Sequence, residues 1–220
     1  FYTNHAYAGP GTISGGPYLG PTGGRQYDAT VVEADFLKKS RFMLDHGLPI
    51  WVGEFGPVYT GDPQKDEMRY QLLKDQLAIY DKHGVSWCIW LYRDLGLQAL
   101  VYQPETTAWM RRIKPMLDKK QRLGADAWGS VEAGVREVLE PIDALLAREF
   151  PGYDPYPNGA KREARLLVRH ILIAEALLSE YGKAFEGLSD QQVVELATSF
   201  NLDQARRRTR LEAILSGRER

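Results

Sequence analysis

Glu54 is next to last in the run Pro-Ile-Trp-Val-Gly-Glu-Phe over residues 49–55, with Gly53 before it and Gly56 two places after it. A carboxylate flanked by glycines at the end of an apolar run is seldom placed for packing, and it can serve as a nucleophile or a general base. Three other side chains suit such a group. With a period of two, Thr3, His5 and Tyr7 share one face of a strand, Ile50, Val52 and Glu54 share a face of a second, and Ser86, Cys88 and Trp90 share a face of a third. If those faces meet, a carboxylate, an imidazole, a phenol and an indole line one pocket. A phenol hydroxyl can hold a carboxylate ionised, and an indole offers an apolar plane to a ring. Asn4 and Asp94 stand beside this set as further candidates. Each residue also has a structural reading: Glu54 as a carboxylate paired with Arg93, His5 as a satisfied core histidine, Tyr7 as a roof over the core, and Asp94 as the partner of Arg93. Cys88 reads as a small core hydrophobe. His46, His83 and His170 fall at helix ends or on a helical face without ligand spacing, so no metal site is expected.

Bringing these groups together requires strand ends that converge. Residues 1–7 form a short aromatic run, and the Gly/Pro-rich stretch 8–25 reads as a long loop. A helix is expected over 29–46, stopped by Gly47, then a buried strand over 49–55 ended by Gly56-Pro57. Tyr70, Leu73, Leu77 and Tyr80 recur at helical spacing within 64–83, which Gly84 closes. Residues 85–91 read as a third strand and 106–117 as a third helix, fraying at Pro115. Three strand–helix repeats call for a parallel sheet with covering helices. In a parallel α/β barrel the catalytic groups sit at the C-terminal ends of the strands, which would bring Tyr7, Glu54 and Trp90 to the mouth with His5 just below. Such a barrel allots about 30 residues to each unit, so three units fit the first 117 residues. Three parallel strands alone leave two unpaired edges and an uncovered face. The expected fold class is therefore α/β: the C-terminal portion of a (β/α)8 TIM barrel, its last three strand–helix units, over residues 1–117, followed by an all-helical extension over residues 118–220. Self-association through exposed strand edges is a further expectation.

Composition marks that division, since 13 of the 21 glycines and 4 of the 5 tryptophans precede residue 117. Beyond it, helices are expected over 130–150, 161–181, 189–200 and 203–216, with Ser189 and Gln192 as a capping box and Asp203 as an N-cap. Residues 151–159 read as a rigid turn-rich link, or alternatively as a Tyr/Pro contact for peptide or sugar. Arg206, Arg207, Arg208 and Arg210 read as a solvated helix face. With 28 basic against 29 acidic residues, the net charge of -1 provides no field to attract nucleic acid or an anionic membrane surface. One cysteine excludes an internal disulfide framework and a Cys-rich zinc module. The apolar tract near 171–178 is interrupted by Glu175 and flanked by Arg169 and His170, too short and too charged to span a bilayer. The chain opens with Phe1 and no secretion signal is read there, so no compartment is assigned.

Asn4-His-Ala-Tyr7, Trp51-Val-Gly-Glu-Phe-Gly56 and Ser86-Trp-Cys-Ile-Trp90 followed by Asp94 resemble the last three strands of glycoside hydrolase family five, the cellulase family of (β/α)8 barrels. The resemblance covers residues 1–117, and residues 91–102 with the helical tail are similar to a fungal-type branch of that family. It implies that Glu54 is the nucleophile of a retaining mechanism, that His5 and Tyr7 contact substrate and hydrogen-bond the nucleophile, and that Trp90 stacks on the sugar beside the cleaved bond. It also implies a β-linked glucoside or glucan as substrate and no cofactor, and it is compatible with secretion. The family takes its acid/base from an Asn-Glu pair on an earlier strand, and none of Asn4, Asn158 or Asn201 is followed by Glu. The expectation is the nucleophile half of a glycosidase site, inactive in isolation. The alternatives are a non-catalytic carbohydrate-binding or scaffold protein on a truncated barrel, and an independent helical partner-binding domain over 118–220.

Overall fold

The computed structural model describes residues 2–13, 15–125, 131–155 and 159–219. The chain forms two compact units, residues 1–104 with 200–220, and residues 105–199. The first unit runs β1 (Tyr2–His5), a β2–β3 hairpin (Gly20–Thr22 and Arg25–Tyr27), α1 (Ala29–Asp45), β4 (Ile50–Phe55), α2 (Pro63–Lys82), β5 (Ser86–Ile89), β6 (Arg93–Asp94) and β7 (Val101–Tyr102). The hairpin lies within the stretch read as plain loop, and it turns at Gly23-Gly24, a two-residue connection suited to paired strands.

β1, β4 and β5 form a parallel sheet with β4 in the centre, so the fold is α/β. Each covering helix starts on a side-chain cap. The Asp28 carboxylate accepts from the backbone of Val31 at α1, and that of Asp62 accepts from Gln64 and Lys65 at α2, where Pro63 fits a first turn that needs no donor. α1 contributes Val32, Phe36 and Met43 to the core and α2 contributes Leu72, Leu73, Leu77 and Tyr80, against Val52 and Phe55 of β4. Phe55 meets Tyr80 and Trp87 edge-on at 5.0 and 5.6 Å between ring centroids. Burying such side chains contributes about 1.5–3 kcal/mol each.

The second unit comprises α3 (Ala108–Leu123), α4 (Arg136–Glu149), α5 (Ala160–Arg165), a π-helical stretch over Leu166–Ile173, α6 (Ala174–Lys183) and α7 (Asp190–Thr198). α3 does not fray at Pro115. It continues to Leu123 with Pro115 inside it, and Gly124 caps it in a left-handed conformation. The division at residue 117 thus falls inside this helix. Ser189 and Gln192 make the expected reciprocal capping box at α7. Arg165 binds Glu132 at 2.7 Å and Asp143 at 2.9 Å. Ser130, expected at a helix start, and residues 156–158 of the turn-rich link lie outside the described residues.

The last stretch departs most from expectation. In place of one helix over 203–216, a short 3-10 turn leads into β8 (Arg206–Arg207), which pairs antiparallel with β7, and α8 (Thr209–Leu215) follows with Leu211 and Ile214 in the core of the first unit. The extension is therefore not all-helical, Asp203 is not a helix cap, and the arginine run is no solvated helix face.

Candidate active site

The strand β4 does not keep a period of two. Thr3, Trp51 and Ser86 are level with one another across the sheet, as are Asn4, Val52 and Trp87, but His5 is opposite Glu54 and Ile89 opposite Phe55. β4 therefore carries one extra residue before Glu54, a β-bulge. Trp51 faces the open side and Val52 is fully buried under the helices. Glu54 then returns to the open side and Phe55 is buried again. Ile50 and Val52, expected on the same face as Glu54, are core residues, and Trp51 is 43% exposed. Gly53 fits where a larger residue would not, since a Cβ there would lie 2.6 Å from Thr3 Oγ1. Gly56 has a φ of +136° and packs on the Trp90 carbonyl, 2.9 Å from where its Cβ would be.

The bulge delivers Glu54 to two partners. Tyr7 donates its hydroxyl to Glu54 Oε2 at 3.0 Å, and His5 Nδ1 lies 3.3 Å from the same oxygen. Burial, and then the carboxylate it faces, raise the Tyr7 pKa well above the ordinary tyrosine value, so the phenol stays a donor. The backbone around these groups is tied down by residues that sequence reasoning missed. The Ala6 N–H donates to the Glu54 carbonyl at 2.8 Å, while buried Gln76 donates to the Ala6 carbonyl at 2.9 Å and Lys39 to the His5 carbonyl at 3.0 Å. Arg69, almost wholly buried, donates to the carbonyls of Pro10, Thr12 and Val58, which joins the segment after Tyr7 to the segment after Glu54. A lone arginine on a helical face carries no sequence signal for that duty.

Trp90 follows the neighbouring strand. Its N–H donates to the Phe55 carbonyl at 2.8 Å, the peptide to Leu91 is cis, and the residue is 43% exposed. Asn4 and Asp94 are not brought to Glu54. Asn4 points under the sheet and donates to Ser40 Oγ of α1 at 2.7 Å, as its place one residue from His5 requires. The Asp94 carboxylate accepts backbone N–H bonds from Gly96, Gln98 and Ala99 at 2.6–3.1 Å and organises its own loop, instead of pairing with Arg93. Cys88, read as a core residue, is exposed on the open side. Glu33, at a distance from the strand ends, is held by Lys82 at 2.7 Å and His83 at 2.6 Å. Among the described residues no group of His, Cys, Asp and Glu side chains could hold a metal ion, and no helix is long and apolar enough to cross a membrane.

The end of the central parallel strand thus carries a carboxylate held by a phenol, and an exposed tryptophan follows the neighbouring strand. Residues 1–96 match the family model of cellulase, glycosyl hydrolase family 5, and this part of the chain belongs to that family. A β-xylosidase of Phanerodontia chrysosporium is 39% identical over 191 residues, which takes in 81% of this chain, so the similarity runs beyond the family match. The chain spans 40% of the length of that relative.

Proposed function

We propose that this chain supplies the nucleophile side of a retaining β-glycosidase. Glu54 attacks the anomeric carbon, forming a glycosyl-enzyme ester as the leaving oxygen departs, and water then releases the sugar. Tyr7 and His5 hold the carboxylate, and Trp90 stacks on the sugar. The observation that carries this reading is the convergence of Tyr7 and His5 on one oxygen of Glu54 at the end of a parallel strand. The acid/base is proposed to come from other strands of the complete barrel, since no Asn-Glu pair occurs in these 220 residues. The chain by itself should therefore be inactive, as general-acid help alone is worth about 10²- to 10⁴-fold. β-Linked glucosides or glucans are the substrates proposed. The relative's name, β-xylosidase, adds β-xylosides, whose ring differs from glucose by lacking the exocyclic hydroxymethyl group.

The test is to treat the complete enzyme with a 2-fluoro-glycosyl fluoride of glucose or xylose, which forms the ester but releases it slowly. The expected result is one sugar attached to the peptide that carries Glu54, with no labelling in Glu54→Gln. Labelling of another carboxylate would overturn the assignment. Hydrolysis of an activated aryl β-glycoside by residues 1–220 alone, abolished by Glu54→Gln, would overturn the proposed division of the site.

A further inference from the structure

The polypeptide leaves the sheet unit after Pro104 and returns to it at Phe200. What the returning segment grips is the loop that starts at Trp90. Arg206 and Arg207 pair with Tyr102 and Val101. The Arg208 N–H donates to the Leu100 carbonyl at 2.8 Å, its Nε to the Ala99 carbonyl at 3.0 Å, and a terminal nitrogen to the Gly96 carbonyl. The same guanidinium lies over the rings of Tyr59 and Tyr102, 4.6 and 4.3 Å from their centroids. A planar fork of donors that also stacks on aromatic faces can do all of this at once, and the compact ammonium of lysine cannot. The gripped loop is bonded in turn to the strand exit beside Glu54. Gln98 donates to the Gly56 carbonyl at 2.9 Å, and the Tyr59 N–H donates to the Leu97 carbonyl at 2.7 Å.

We propose that residues 206–208 form a clasp on the sugar site, in which Arg208 is a positioning residue that sets the 91–102 loop, and with it Trp90 and the exit of β4, for substrate. The inference rests on the glycosidase reading above and adds to it a determinant from the far end of the sequence. Arg210 provides an internal control. It binds Glu67 and Glu219 and lies over Tyr70, so it secures α8 without touching the 91–102 loop.

The experiment compares Arg208→Ala, Arg208→Lys, Arg210→Ala and Glu54→Gln in the complete enzyme. Because small displacements at a site are costly, Arg208→Ala should raise KM roughly tenfold and lower kcat by less, with Arg208→Lys between it and wild type. Arg210→Ala should lower the melting temperature and leave KM unchanged. An unaltered KM in Arg208→Ala, or in Arg208→Lys if the alanine variant does not fold, would overturn the clasp. So would an equal rise in KM in Arg210→Ala, which would mark the effect as general loosening. Full activity in Glu54→Gln would instead sink the assignment of Glu54 as nucleophile, on which the reading above rests. The clasp is then decided by amide exchange on the 220-residue chain: the Gly96, Gln98 and Ala99 amides should exchange at least tenfold faster in Arg208→Ala, and unchanged rates would overturn it.

Discussion

Val52, Phe55 and Trp87 of the β1–β4–β5 sheet pack on or into the core beneath the helices, while Thr3, His5, Trp51, Ser86 and Cys88 stand exposed on its other side. The two faces are cut from the same three strands and obey different demands. The covered face is chosen for volume and shape. The open face holds polar, titratable and aromatic groups with little to pack against. β4 serves both, and the extra residue at Gly53 is what puts Glu54 on the open side with Trp51 instead of on the covered side with Val52.

The contrast can be broken most strongly at that pair. Glu54→Gln should lower kcat of the complete enzyme by at least about 10⁴-fold, equivalent to about 5 kcal/mol of barrier, with the unfolding transition unmoved. Phe55→Ala should do the reverse, costing about 3–5 kcal/mol in denaturant unfolding of the chain, because its ring is fully buried between Tyr80 and Trp87. A comparable stability loss in Glu54→Gln would erase the distinction between the faces.

Tyr7 sharpens the comparison through pH. Its pKa is raised above the ordinary value of 10, first by burial and then by Glu54. The phenol-to-carboxylate bond is therefore complete below pH 10 and is lost only as the pH climbs past the raised folded value. At pH 10 the tyrosinate absorbance of the folded chain should be the same with and without Tyr7→Phe. A drop in the variant equal to half a tyrosine would mean that Tyr7 ionises as if in water. The smallest effect is expected at Cys88, where Cys88→Ser should change stability by less than about 0.5 kcal/mol and the native thiol should react readily with a soluble disulfide reagent. Slow reaction would mean that the open face is covered in solution.

Much of this was legible from the residues, and the failures share a cause. The three strands and the helices between them followed from apolar spacing and from the glycines at 47 and 84. Glu54, His5 and Tyr7 were found because their types and order are unusual. Only the parity of β4 fails, since strict alternation assumes a regular strand, and the isolated Gly53 inside an apolar run is the available sign of a bulge. Asn4 was drawn toward the site by its neighbours, although one residue of offset turns its side chain to Ser40. Arg208 was unreadable for another reason. Its partners are backbone carbonyls and tyrosine rings a hundred residues or more away, and local patterning carries no trace of contacts made over that separation.

The host unit is discontinuous, with residues 105–199 set between its two stretches. During synthesis the sheet and its helices emerge first, yet Leu211 and Ile214, which complete their core, are still unmade. At about 5–20 residues per second the ribosome needs roughly 5–20 s to pass through the intervening segment. For that interval the nascent first unit waits with a gap in its core, a natural moment for chaperone engagement and a reason for premature termination to be as damaging as a lesion near Glu54.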